Sequence, residues 1–156
     1  MMTTRQSFER ELQLLRESLL RMASLVESQI DRALTALRTL DSDGADEVRR
    51  NDQTINELFR QIREQVFLVL ATQQPVARDL RTLMGVQYIA QELERIGDYA
   101  VRIARRTAIL CGLPQKPLRV VTLIQVAHNL ERIGDRVTNV AEDIIFLESG
   151  QVVELG

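Results

Sequence analysis

Cysteine, histidine and tryptophan are almost missing from this chain: among 156 residues there is one Cys, Cys111, one His, His128, and no Trp. A lone thiol closes no intrachain disulfide and supplies no cysteine metal motif. Proline and glycine are also sparse, with only three and seven residues, so few points break a regular element. No apolar run reaches the roughly 18 residues a bilayer requires, and no membrane span is expected. The opening stretch, Met1 to Arg10, is polar and charged throughout, unlike a secretory signal, and a cytoplasmic location is the plain expectation. A net charge of −2 leaves no basic footprint for nucleic acid. Neither a nucleophile-base arrangement nor a glycine-rich phosphate loop occurs, and no catalytic activity is expected.

What the chain does have is apolar residues at steps of three and four. Phe8, Leu12, Leu15, Leu19, Met22 and Val26 begin such a series, continued by Ile30, Ala33, Leu37 and Leu40. This predicts a first helix of about 35 residues, roughly 50 Å long. It ends at Asp41-Ser42-Asp43-Gly44, where Ser42 or Asp43 can cap the next helix. The second helix carries Val48, Ile55, Phe59, Ile62, Val66 and Val69 on one face. Asp52 occupies an apolar position of that face and Asn56 its edge, and a carboxylate there needs a partner. Gln73-Gln74-Pro75 interrupts the chain, and a third helix is predicted from about Val76 to Cys111. Gly112 to Pro117 forms the last connection. A fourth helix follows from about Leu118 to Glu148, and Gln151 to Gly156 reads as a frayed tail. The fold class is all-α, an antiparallel bundle of long helices without strands.

The segment Glu94-Arg95-Ile96-Gly97-Asp98 recurs as Glu131-Arg132-Ile133-Gly134-Asp135. Its flanks match too, with Ala90 opposite Ala127, Leu93 opposite Leu130 and Ala104 opposite Ala141. An internal repeat of about five helical turns is hard to reach by accident. Each copy sets two carboxylates one turn apart beside an apolar face. Counting from the turns brings Asp52 level with Glu94 and Asp98, and places Glu131 and Asp135 roughly opposite, with Asp31 near the same layer.

Carboxylates gathered at one level repel each other unless protonated or bridged by cations. A metal site lined by Glu94, Asp98, Glu131 and Asp135, with Asp52 and Asn56 in support, is the functional expectation. Oxygen-rich donors suit divalent or trivalent ions, iron or zinc first, then manganese or magnesium. The plainer alternative pairs these acids with Arg95, Arg132 and other arginines in surface networks. Another is a carboxylate-bridged dimetal enzyme or storage protein. Its usual Glu-x-x-His order is reversed here, since His128 precedes Glu131. A purely structural oligomerisation bundle is the third.

At these residues the chain resembles the PhoU family of phosphate-signalling regulators. The likeness runs through Asn51-Asp52-Gln53-Thr54-Ile55-Asn56, Gln74 to Arg81, Ala90 to Asp98, Asn129 to Asp135 and Thr138 to Glu142. It implies a cytoplasmic, usually dimeric helical bundle that negatively controls phosphate uptake and the phosphate-starvation response. The implied partners are a Pst-type phosphate ABC transporter ATPase and the sensor histidine kinase of the phosphate two-component system. The family's Glu/Asp-x-x-x-Asp motifs bind multinuclear metal, and carried over they fall on Glu94/Asp98 and Glu131/Asp135, with Asp52/Asn56 as a motif whose second acid is here an amide. The family usually holds two three-helix repeats. Here residues 1–111 read as one repeat, 112–117 as a linker, 118–150 as the last helix of a second repeat and 151–156 as a tail. The fourth helix is expected either to close a four-helix bundle or to dock on a second subunit.

Overall fold

A computed structural model describes residues 4–113 and 116–155. It consists of α1 (Thr4–Thr39), α2 (Ser42–Gln73), α3 (Ala77–Gly112) and α4 (Lys116–Ser149), with no strand among the described residues. Pro114 and Gln115, in the expected last connection, lie outside the described residues.

The helix boundaries have local causes. Leu40 turns left-handed at φ 51°, and the extended Asp41 then caps α2, its carboxylate accepting from the Asp43 and Gly44 N–H groups at 3.0 Å each. The cap is therefore Asp41, not Ser42 or Asp43, because only its side chain reaches back over the first turn. Gly44 permits this, since a Cβ there would lie 2.6 Å from the Asp41 carboxylate. At the far end of α2, left-handed Gln74 sends its N–H to the Leu70 carbonyl. Pro75 and Val76 precede α3 rather than opening it.

α1, α2 and α3 form a three-helix bundle, and α4 packs along α3 while approaching neither α1 nor α2. A closed four-helix bundle is thus not formed. α3 supports both contacts with two apolar seams, each stepping three and four. One seam, from Leu83 and Val86 through Gly97 to Thr107, is buried and faces α1 and α2. The other, with Gly85, Ile89, Ile96 and Ile103, is buried beneath α4. α4 answers with Thr122, Val126, Asn129, Ile133, Val140 and Leu147. Close approach at one end depends on Gly85, where a Cβ would stand 2.1 Å from the Leu147 side chain. Glu92 of α3 pins the middle by accepting from Arg136 at 3.2 Å and from Asn139 at 3.0 Å.

Two apolar bodies make up the interior. The larger combines Phe8, Leu15 and Met22 with Ile62, Val66, Val69 and Leu83. The smaller is rich in alanine, with Ala33, Ala36, Ala45, Ala100 and Ala104 around Val48 and Ile103. Near the end of the bundle, residues 151–155 are not helical, yet the Leu155 N–H donates to Glu142 at 2.7 Å, so the tail is tethered.

Candidate functional site

A polar layer separates the two apolar bodies. On α1 the buried series Met22, Val26, Ala33 and Ala36 is interrupted by Gln29, itself only 4 % exposed. On α2 the series Ala45, Val48, Ile55 and Leu58 is interrupted by Asp52 in the same way. The two meet: Gln29 Nε2 donates to Asp52 Oδ1 at 3.0 Å and to the Gly97 carbonyl of α3 at 3.2 Å. Asn56 Nδ2 donates to the second Asp52 oxygen at 2.9 Å. One amide thereby joins three helices, and the carboxylate expected to need a partner has two.

Glu94 and Asp98 flank this layer on α3, half-buried and without a hydrogen bond or close ion pair among the described residues. Burial pushes the Glu94 carboxyl above its ordinary range, reinforced by the charges of Asp98 and Asp52, against a smaller opposing effect from Arg95. The Asp98 carboxyl is also raised, by burial and then by Asp52, while Arg102 and Arg105 pull it back. These are acids held close together and short of solvent, the condition in which a cation is favoured. Arg95 does not neutralise Glu94, since its guanidinium lies 3.8 Å from Glu92 instead.

Glu131 and Asp135 are not brought into this cluster. They stand on the outer side of α4 with side chains 70 % and 55 % exposed. His128 meets Glu131 at 3.3 Å, and Arg132 meets Asp135 at 3.5 Å. The heights do match, since Glu92 meets Arg136 and Asn139, but α3 and α4 meet through the seam of Gly85, Ile89 and Ile96 and its repeat equivalents Thr122, Val126 and Ile133, which leaves Glu131 and Asp135 pointing away from the interface. Asp31 is likewise exposed, and the layer's α1 contribution comes from Gln29. Its signal, a polar residue three positions after Val26 and four before Ala33, is masked in the sequence by Ile30, which fits the same stripe.

Among the described residues, no three His, Cys, Asp or Glu side chains come together closely enough to enclose one metal ion. Asp52 is also engaged by Gln29 and Asn56 on both oxygens. The donors that fit a hard cation are thus the two free carboxylates, Glu94 and Asp98, open at the helix surface and strengthened by the field of Asp52.

Comparison with known proteins follows the same architecture. The family model for the PhoU domain matches residues 19–107 and again residues 110–144. A phosphate-specific transport system accessory protein PhoU homolog from Pseudomonas putida is 41 % identical over 140 residues, covering 90 % of this chain and 52 % of the relative. The chain thus spans about half the length of that curated relative. A PhoU homolog from Clostridium acetobutylicum is 29 % identical over 216 aligned residues, covering 97 % of this chain and 99 % of the relative. With 156 residues here, at least 60 of those positions (216 − 156) have no residue in this chain. The crystal structure of PhoU from Pseudomonas aeruginosa superposes with a TM-score of 0.88 at 29 % identity, covering 92 % of this chain and 100 % of that one. A four-helix chain with a repeated Glu-Arg-Ile-Gly-Asp segment, matched twice by one family model, belongs to the PhoU family.

Proposed function

We propose that this chain is a PhoU-type regulator that restrains phosphate uptake and the phosphate-starvation response. Its action would lie between a Pst-type phosphate ABC transporter ATPase and the sensor histidine kinase of the phosphate two-component system, on the cytoplasmic side of the membrane and as a homodimer. The observation that carries the reading is the double family match, together with relatives named as accessory proteins of phosphate-specific transport. No helix among the described residues is long and apolar enough to cross a membrane, in keeping with a protein that docks on a transporter. No reaction is proposed for the site.

The same reading includes a divalent or trivalent metal ion, iron or zinc before manganese or magnesium. Glu94 and Asp98 would hold it, and a bound cation would supply positive charge where burial leaves two carboxylates strained. Asp52, hydrogen-bonded by Gln29 and Asn56, adds its negative charge to the local potential. Glu131 and Asp135, outside the cluster, have no part in this site.

Deleting the gene in phosphate-replete cells is expected to raise expression of phosphate-uptake genes, and complementation with the full chain to restore repression. Unchanged expression in the deletion strain would reject the regulatory role. Titration of metal-stripped protein with zinc or manganese, followed calorimetrically, tests the site. Heat that survives Glu94→Gln with Asp98→Asn would place binding elsewhere.

A further inference from the structure

Two open clefts lie along the α3–α4 interface, and the repeat maps one onto the other. Adding 37 residues (131 − 94) carries Gln91 and Glu92 to His128 and Asn129, and subtracting 37 carries Asn139, Glu142 and Asp143 to Arg102, Arg105 and Arg106. The positions are equivalent and the charge is inverted. The acidic cleft is satisfied from within the chain: Glu92 accepts from Arg136 and Asn139, and Glu142 accepts from the Leu155 N–H. The basic cleft has no such supply, because the amide of Asn129 stands where its counterpart is the carboxylate of Glu92.

Arg102, Arg105 and Arg106 make no hydrogen bond or close ion pair among the described residues, and Arg102 lies 4.8 Å over the Tyr99 ring instead. Asp98 feels Arg102 and Arg105 without meeting either, and Glu131 is engaged by His128 at 3.3 Å. One acid acting on three guanidiniums leaves the cleft positive. Asn129 gives a second, independent sign of a ligand. It borders the cleft, is only 8 % exposed, and its side chain has no hydrogen-bond partner among the described residues. A buried amide left unpaired is costly, and an acceptor entering the cleft removes that cost.

We infer that this cleft binds an organic phosphate of nucleotide size. Three guanidiniums within about one helical turn match the paired oxygens of successive phosphoryl groups, and the Asn129 amide adds a neutral donor. Ile109 and Ile124 beside them offer apolar surface that a bare anion would not use. The volume, about 650 Å³, falls in the roughly 300–1,000 Å³ range of small-molecule sites and is twice the 330 Å³ of the acidic cleft.

Anisotropy of methylanthraniloyl-labelled ADP with the purified full chain tests the site, with EDTA present and absent so that metal at Glu94 and Asp98 cannot account for the signal. Micromolar binding is expected in both conditions, with inorganic phosphate, adenosine and a polyglutamate peptide each displacing the label roughly tenfold less well than ADP. Arg102→Gln with Arg106→Gln should weaken binding roughly tenfold or more with helicity unchanged, since neither side chain is buried. Asn129→Glu, which installs the acid of the other cleft beside Arg102, should abolish it, and Glu142→Gln should leave it intact. Absence of binding, indifference to both sets of basic-cleft substitutions, or equal displacement by inorganic phosphate would each overturn the inference. So would stronger displacement by the peptide, which gives the cleft to an acidic protein segment, or loss of binding in EDTA, which routes the nucleotide through metal and leaves the metal reading standing.

Discussion

The two Glu-Arg-Ile-Gly-Asp segments are identical in sequence and opposite in condition. In the first, Ile96 and Gly97 are buried, the Gly97 carbonyl receives the Gln29 amide, and both acids are unpaired with raised carboxyl pKa values. In the second, Gly134 is exposed with open space beside it, and both acids have close cationic or histidine neighbours. The chemistry of the segment is therefore not carried by its five residues. It is conferred by the helices that close over the seam, α1 and α2 in the first case and none within this chain in the second. An acid in the first copy is costly to ionise, and in the second it is ordinary surface.

The glycines give the sharpest way to break the comparison. Gly97→Leu should destabilise the fold by about 3 kcal/mol, because Gln29 and Ile55 already lie near 3.6 Å from where its Cβ would be. Gly134→Leu should leave the single chain unchanged or stabilise α4 by up to about 1 kcal/mol through helix propensity. Urea unfolding of both variants reads the difference, and equal losses would erase the contrast. Next in size, Gln29→Met should cost about 2 kcal/mol, since it strips Asp52 and the Gly97 carbonyl of a buried donor. A neutral result would mean that water replaces the amide.

Charge sharpens the contrast further. Glu94→Gln with Asp98→Asn should abolish zinc or manganese uptake that Glu131→Gln with Asp135→Asn leaves intact, and the reverse pattern in the calorimeter would exchange the roles of the two copies. The smallest effect is on pH dependence. Folding raises the Glu94 and Asp98 carboxyl pKa above 4.5 and 3.8, so the native state binds more protons than the unfolded chain just above those values. Their contribution to stability falls as pH rises through that window and is level beyond it. Asp98→Asn should accordingly raise the neutral-pH melting temperature, and the gain should vanish at pH below the ordinary carboxylate range. Asp135→Asn should do nothing comparable, and a gain for Asp98→Asn that persists in acid would assign its effect to packing.

The helices and turns were legible because three-and-four spacing and turn clusters are local signals, and the four elements lie where that spacing puts them. Asp52 could also be read as a carboxylate in need of partners. Gln29 was hidden by its neighbour: Ile30 also fits the helical stripe, and only packing shows that the amide is the one turned inward. The fate of α4 was illegible for a different reason. Its apolar seam states which face needs cover, and the matching seam of α3 shows what cover looks like, but periodicity cannot reveal whether the covering helices exist in the same chain. Matching acids by height gave their level but not their direction: α3 and α4 meet through equivalent seams, and the acids flank the other seam, which only α1 and α2 cover.

The alanine-rich body next to the α1–α2 turn has a consequence for motion. Methyl groups bring backbones together but withdraw little surface from water, so this end of the rod is held by less hydrophobic free energy than the leucine- and valine-filled end beyond Gln29. With a hydrogen-bonded plug between them, the thin end can fray while the thick end stays shut. Amide hydrogens of Ala33 to Val48 and of Ala100 to Ala104 should exchange sooner than those of Leu58 to Val69. A partner gripping the bundle near that turn would then find a yielding tip on a stiff shaft.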